Sequence, residues 1–167
     1  FTIPGWALLP AEFVRAVPGP LDERERSDLD ALMDRYKLFG QRFFARASLL
    51  GADPQASATD FARLLHSVGN RMAKEQPADA ERAYRLSLRL RPAGNLAHAG
   101  LALLLAATGR DSEASREAGT ALQVLDGYAR RAHDAAIPTT GDISPFRSPS
   151  SLRQALTRLL TPSAGAR

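Results

Sequence analysis

Apolar residues along this chain of 167 residues recur mainly at three- and four-residue spacing, which predicts helices. Leu29, Leu32, Met33, Tyr36, Phe39, Phe43, Ala47 and Leu50 form one stripe within residues 21–50. Asp22, Glu23 and Glu25 precede it, where carboxylates suit the positive end of a helix dipole. Gly40 either punctuates one long helix or turns the chain between two, and Gly51-Ala52-Asp53-Pro54 ends the element. Residues 55–58 read as loop. A helix is expected over 61–74, capped by Thr59 or Asp60, with Phe61, Leu64, Leu65, Val68 and Met72 inward. After a turn at 75–78, Asp79 is expected to cap a helix over 80–90, with Ala80, Ala83, Tyr84 and Leu88 inward and Pro92 as its stop. The apolar run from Leu96 to Ala107 closes at Thr108-Gly109, and a further helix follows over 112–125. Residues 127–136 predict a short capping helix. Ser150 or Ser151 then caps an amphipathic helix over 152–160, with Leu152, Leu156, Leu159 and Leu160 on one side.

Proline marks the two segments outside this pattern. Pro4, Pro10, Pro18 and Pro20 exclude a long helix in residues 1–20. Ile3, Trp6, Leu8, Leu9, Phe13 and Val14 are nonetheless too apolar for a free linker. An arm packed on its own domain or on another chain is expected there. Pro138, Pro145 and Pro149, set among Thr, Ser and Gly, predict an extended loop over 137–151. The chain thus divides into an arm (1–20), a helical domain (21–136), a loop (137–151) and a short helix with a basic tail that is disordered from Thr161 onward (152–167).

Two segments of the helical domain read alike. Asp79 to Leu88 and Ser112 to Leu122 carry matching residues, with Ala80 and Ala114, and likewise Leu88 and Leu122, 34 residues apart. Helix, turn, helix, repeated at that period, is a repeat signature. It resembles the tetratricopeptide repeat. His98, Leu101, Ala102, Leu105, Gly109, Ala114, Ala118, Ala121 and Leu122 stand in order at that family's positions, with His98 replacing an aromatic and Ala118 a bulkier residue. Gly69 takes the small-residue position of the preceding copy, whose turn is one residue short. Over 26–59 a degenerate first copy and one long helix are both open. The resemblance implies an all-α stack of antiparallel helical hairpins, two of them clear, with a capping helix and irregular termini.

Composition adds exclusions. Cysteine is absent, which removes disulfides, thiol catalysis and zinc–thiolate sites and fits either redox compartment. The longest apolar stretch, Ala99 to Ala107, is far short of the roughly 20 residues that span a bilayer. The net charge of +4 lies entirely in the last part of the chain, because 1–51 and 52–126 each balance and only 127–167 is basic. Phe1 in place of Met marks a processed chain or a fragment.

The resemblance implies a concave groove lined by the first helix of each hairpin. By position it brings Arg63, His66, Ser67, Asn70 and Lys74 to that groove as a polar stripe suited to a carboxylate or a peptide backbone. Asp30, Asp34 and Lys37 would join them if the first copy is real. The next first helix presents Leu96, Ala99, Gly100, Leu103, Ala106 and Ala107, a face that water should not reach. The C-terminal helix, the arm or a partner's helix is expected to cover it. Arg82, Arg85 and Arg89 form a basic stripe, with Glu81 able to pair with Arg85. Exposed aromatics are not interleaved with these bases, so nucleic acid is not the expected partner. His66, His98 and His133 lie far apart without acidic ligand spacing. Asp30 and Asp34 share a helix face, but no phosphate loop, nucleophile elbow or paired His accompanies them. No catalytic residue, metal or cofactor is assigned. The expected function is a non-catalytic scaffold or adaptor that binds an unidentified protein partner through Arg63, His66, Asn70, Lys74, Leu96, Ala99 and Leu103. Two alternatives stay open: a structural subunit or soluble domain of a larger assembly, membrane-attached or not, and a small-molecule or lipid-binding helical domain using the face around Leu103. The Arg- and Ala-rich composition suggests a bacterial chain, in the cytoplasm or the periplasm.

Overall fold

The computed structural model describes residues 22–35, 54–93, 95–135 and 148–161. These form six α-helices and, among the described residues, no strand, so the fold is all-α. The arm (1–20), the apolar stripe from Tyr36 to Leu50 with Gly40, most of the loop (136–147) and the tail (162–167) lie outside the described residues.

Helix α1 spans Glu23–Arg35. A capping box starts it: the Glu25 amide donates to Asp22 Oδ1 at 2.7 Å, and the Asp22 amide donates back to Glu25 Oε2 at 3.0 Å. Helices α2 (Pro54–Met72) and α3 (Pro77–Leu90) follow, the latter with proline in its first turn and no side-chain cap on Gln76. Proline serves well there, because its missing N–H is one of the donors a helix start leaves unsatisfied. Helix α4 (Ala97–Ala107) is apolar almost all round. It ends in a Schellman turn, in which the Gly109 amide reaches Ala106 O at 3.1 Å and the Arg110 amide reaches Leu105 O at 2.9 Å. Gly109 sits at φ 77°, the left-handed region that favours glycine. Helix α5 (Asp111–Ala135) opens with Asp111 and Glu113 in its first turn. Helix α6 (Pro149–Leu160) is capped by Ser148, whose hydroxyl accepts from the Ser151 amide at 3.2 Å.

The bounds of four helices depart from the expectations above. Residues 55–58 are not loop but the first turn of α2, which runs from Pro54 and stops at Met72, short of Lys74. Asp79 does not cap α3; it lies in the first turn, buried, bonded to Arg35 and Arg82. Residues 127–135 are not a separate capping helix but the continuation of α5. One glycine within good helix formers costs about 1 kcal/mol, too little to break a helix packed on both sides. Helix α6 begins at Pro149, with Ser148 rather than Ser150 or Ser151 as its cap, and Leu160 on its last turn is 41% exposed.

From α2 onward, helices adjacent in the chain pack on one another. The principal interfaces are α2 with α3, α4 with α5 and α5 with α6, while α1 lies on α3 and α4 also meets α3 and α6. Tyr84 sits at the junction of α2, α3 and α4. A Cβ at Gly69 would lie 2.5 Å from its ring, and one at Gly100 would lie 2.4 Å from it. The ring is therefore held between two glycines, and its hydroxyl donates to Asn70 Oδ1 at 2.8 Å. A second joint is polar. Ser87 Oγ donates to Ala62 O at 2.6 Å. Asn95 Nδ2 donates to Ser87 O, Ser87 Oγ and Arg91 O, and Asn95 Oδ1 accepts from the Ala97 amide at 2.9 Å. One side chain thus closes α3 and starts α4.

Two apolar clusters flank α4. One joins Leu101, Leu104 and Leu105 to Ala80 and Tyr84 of α3 and Ala114 of α5. The other joins Leu96, Ala99 and Ala102 to Ala118, Ala121 and Leu125 of α5 and to Leu152 and Leu156 of α6. Of the residues expected inward on α3, Leu88 is only partly buried, while Leu86, Ser87 and Leu90 are buried as well.

Candidate interaction surfaces

The residues expected to line a groove are divided by the fold. On α2, Arg63 is exposed, Ser67 and Asn70 are half-buried, and Lys74 is exposed in the turn beyond the helix. His66 does not join them: it is only 5% exposed, its ring centroid 6.1 Å from that of Tyr84. Its helix position rotates it toward α3, where Tyr84 packs, so it is a core residue and not part of an open stripe. Asn70 is engaged too, as the acceptor for the Tyr84 hydroxyl. What stays open on α2 is an arc of Arg63, Ser67, Arg71 and Lys74, in a stretch without a carboxylate from residue 61 to residue 74.

Leu96 and Ala99 are each 4% exposed, and Leu103 is partly buried against the same cluster. Helix α6 lies over this face, inserting Leu152 and Leu156 with Leu159 beside them, and Arg153 pairs with Asp126 of α5 at 2.6 Å. These three residues are therefore closed to an outside partner while α6 is seated, and the apolar pocket imagined around Leu103 is filled by the chain itself. Gly100, placed on that face by the sequence, is taken up by the Tyr84 contact instead. The side chains of Asp30 and Asp34, and all of Lys37, lie outside the described residues.

Two arginines of α3, Arg82 and Arg89, are paired with long-range partners that spacing could not reveal. Arg89 Nε donates to Glu25 at 2.9 Å, and Arg82 lies 3.3 Å from Asp28, both carboxylates on α1. Arg35 of α1 pairs in turn with Asp79. Glu81 receives Arg85 at 2.7 Å and Arg110 at 2.9 Å, while Arg110 Nε also donates to Glu113 at 2.8 Å. An open cleft of about 680 Å³ runs along these groups between α1 and α3. Burial pushes the Glu81 carboxyl up, but hydrogen bonds from Arg85 and Arg110, with their charges, outweigh it and hold Glu81 below the ordinary carboxylate value. The hydrogen bond from Arg110 likewise holds Glu113 down. Only the Glu81–Arg85 pair was legible in the sequence. On the rim of α4 and α5, His98 Nδ1 lies 2.6 Å from Glu117 Oε2, so the position that the resemblance gives to an aromatic is a polar contact.

Among the described residues no group of three or more His, Asp or Glu is placed to hold a metal ion, and every buried side-chain nitrogen and oxygen has a hydrogen-bond partner. No described helix is long and apolar enough to cross a membrane. Comparison with protein-family models, with curated proteins and with solved structures finds no match to this chain.

Proposed function

We propose that this chain is a tetratricopeptide-like stack of helical hairpins acting as a non-catalytic scaffold, which holds an acidic segment of a protein partner on the open arc of α2. The repeat reading is supported by Ala80 and Ala114, one period apart, which meet α4 in a single cluster. Small residues at such positions let helix backbones approach closely.

The observation that carries the binding reading is a contrast in pairing. Arg82, Arg85, Arg89 and Arg110 are each held by carboxylates of the chain itself. Arg63, Arg71 and Lys74 are exposed and make no ion pair among the described residues. Three cations on one arc, with no carboxylate partner among the described residues, attract a carboxylate-bearing segment, with Ser67 able to donate a hydrogen bond that sets register. Exposed ion pairs contribute only about 0–1 kcal/mol each, so binding on this arc is weak, fast and salt-sensitive.

The test is fluorescence anisotropy with a labelled glutamate-rich peptide. Reversal of Arg63, Arg71 and Lys74 to Glu should abolish binding, while reversal of Arg116 and Arg130, exposed on α5, should leave it intact. Equal loss in both variants, or no loss in the first, would refute the reading.

A further inference from the structure

We infer that the groove formed by α4 and α5 is a helix-binding site, and that α6 is its internal occupant. A partner's amphipathic helix, with leucines at i, i+4 and i+7 and a cation at i+1, exchanges with it. The inference rests on the scaffold reading but concerns a different face from the basic arc of α2.

Three observations converge. The groove floor is made of small residues, Ala99, Ala102, Ala118 and Ala121, walled by Leu96 and Leu125, and this is the shape that receives leucine side chains. Helix α6 fits it with a sparse footprint: Leu152 and Leu156 are fully buried, Leu159 only partly, and Leu160 is 41% exposed. One ion pair, Arg153 to Asp126, sets its register.

The joints among α2, α3 and α4 contain no residue of this helix. The cluster that binds α4 to α3 and to the start of α5 contains no residue of α6, and the Asn95 joint and the Tyr84 contact lie wholly within α2, α3 and α4. Helix α6 also lies beyond a connection of 12 residues, 136–147, carrying Pro138 and Pro145. By residue count alone a connection of that length spans at most about 40 Å, which is long enough for α6 to leave the groove. In the closed state the tethered α6 competes with any helix arriving from outside. The groove therefore admits only a partner that binds better than α6 does at the effective concentration its covalent link to α5 gives it. Arg153 and Asp126 define the selectivity: a partner with an acid at i+1 would face Asp126 and be rejected.

The full chain carrying Leu156→Asp tests this, because a carboxylate at a fully buried position expels α6. The probe is a labelled synthetic peptide of residues 148–161. The variant should bind it saturably, and at least tenfold more tightly than the unmodified chain, where α6 occupies the site. The same peptide with Glu in place of Arg153 should bind several-fold more weakly. The variant should keep its affinity for the glutamate-rich peptide on α2, which separates failure here from failure of the scaffold reading. Hydrogen exchange on the unmodified chain is the second measurement. Helix α6 should exchange through a local opening faster than the amides of α3 and α4. Exchange of α6 only with global unfolding, collapse of the whole fold in the variant, or no peptide binding by a folded variant would each overturn the inference.

Discussion

Replacing Gly100 by alanine tests the packing of three helices with a single methyl group. On helix propensity alone the change should help, since alanine is favoured over glycine by about 1 kcal/mol inside a helix. The structure reverses the sign. The added Cβ would lie 2.4 Å from Tyr84 Cζ and 2.6 Å from its hydroxyl, against about 3.5–4.0 Å for relaxed carbon contacts. The ring cannot withdraw toward α2, because Gly69 already gives it the closest approach a backbone allows. The shift must then come from a helix backbone. Overpacking of this kind costs about 1–3 kcal/mol, and a misfit exceeding 1 Å belongs near the top of that range. After subtracting the propensity gain, Gly100→Ala should lose about 2 kcal/mol. Urea unfolding followed by far-ultraviolet circular dichroism would read this as a lower midpoint with an unchanged slope. In a chain already carrying Tyr84→Ala, the same glycine substitution should become neutral or stabilising, which a double-mutant cycle makes explicit. A Gly100→Ala chain as stable as the parent, or losses that simply add in the double variant, would refute the packing account.

Two further outcomes follow from other joints of the fold. Asn95→Ala removes the donor that serves Ser87 and Arg91 and the acceptor that serves the Ala97 amide. It should cost about 1–3 kcal/mol, and an unchanged denaturation midpoint would show that the joint is dispensable. Glu81 and Glu113 have pKa values lowered below the ordinary 4.5, so their contribution to stability is present above that pH and is lost as pH falls through their folded values. Thermal melts should therefore hold steady from pH 7 to 5 and drop below 4.5. Glu81→Gln should flatten that drop, and an identical pH profile would count against the Arg85 and Arg110 pairing.

What could be read from the sequence was what is local. The apolar run of α4, its glycine stop, the inward face of α3 at Ala80, Ala83 and Tyr84, and the Glu81–Arg85 pair all depend on neighbours within one or two turns. The helix starts were misplaced in a consistent way. At 54, 77 and 149 a proline opens the helix, whereas capping preference places the start at the Thr, Asp or Ser that follows. Each of those hydroxyl or carboxylate side chains is a good cap, but proline at the first helical position signals a start equally well. The candidate site was less legible. His66 reads as one tooth of a polar stripe until Tyr84 is placed beside it, and the salt partners of Arg82 and Arg89 lie on a helix 54 to 64 residues away in the chain. The apolar face of α4 could be recognised as one that needs a cover. That α6 supplies it is a matter of tertiary arrangement.

The apolar character of α4 on nearly every side bears on how the chain comes off the ribosome. Synthesis delivers α2 and α3 before α4, and these can pair as soon as Leu90 has emerged. Helix α4 then appears with one face served by Tyr84 and Leu88, but with Leu96, Ala99 and Leu103 still waiting for residues made later. Ala118 and Ala121 arrive next. Leu152 and Leu156 arrive last, some 50 residues after Leu103, so at about 5–20 residues per second the face stays uncovered for several seconds in each round of translation. Through that interval the nascent chain offers a leucine-rich stretch to chaperones and to other nascent chains alike. A ribosome stalled before Ser148 is added would hold it in that sticky state.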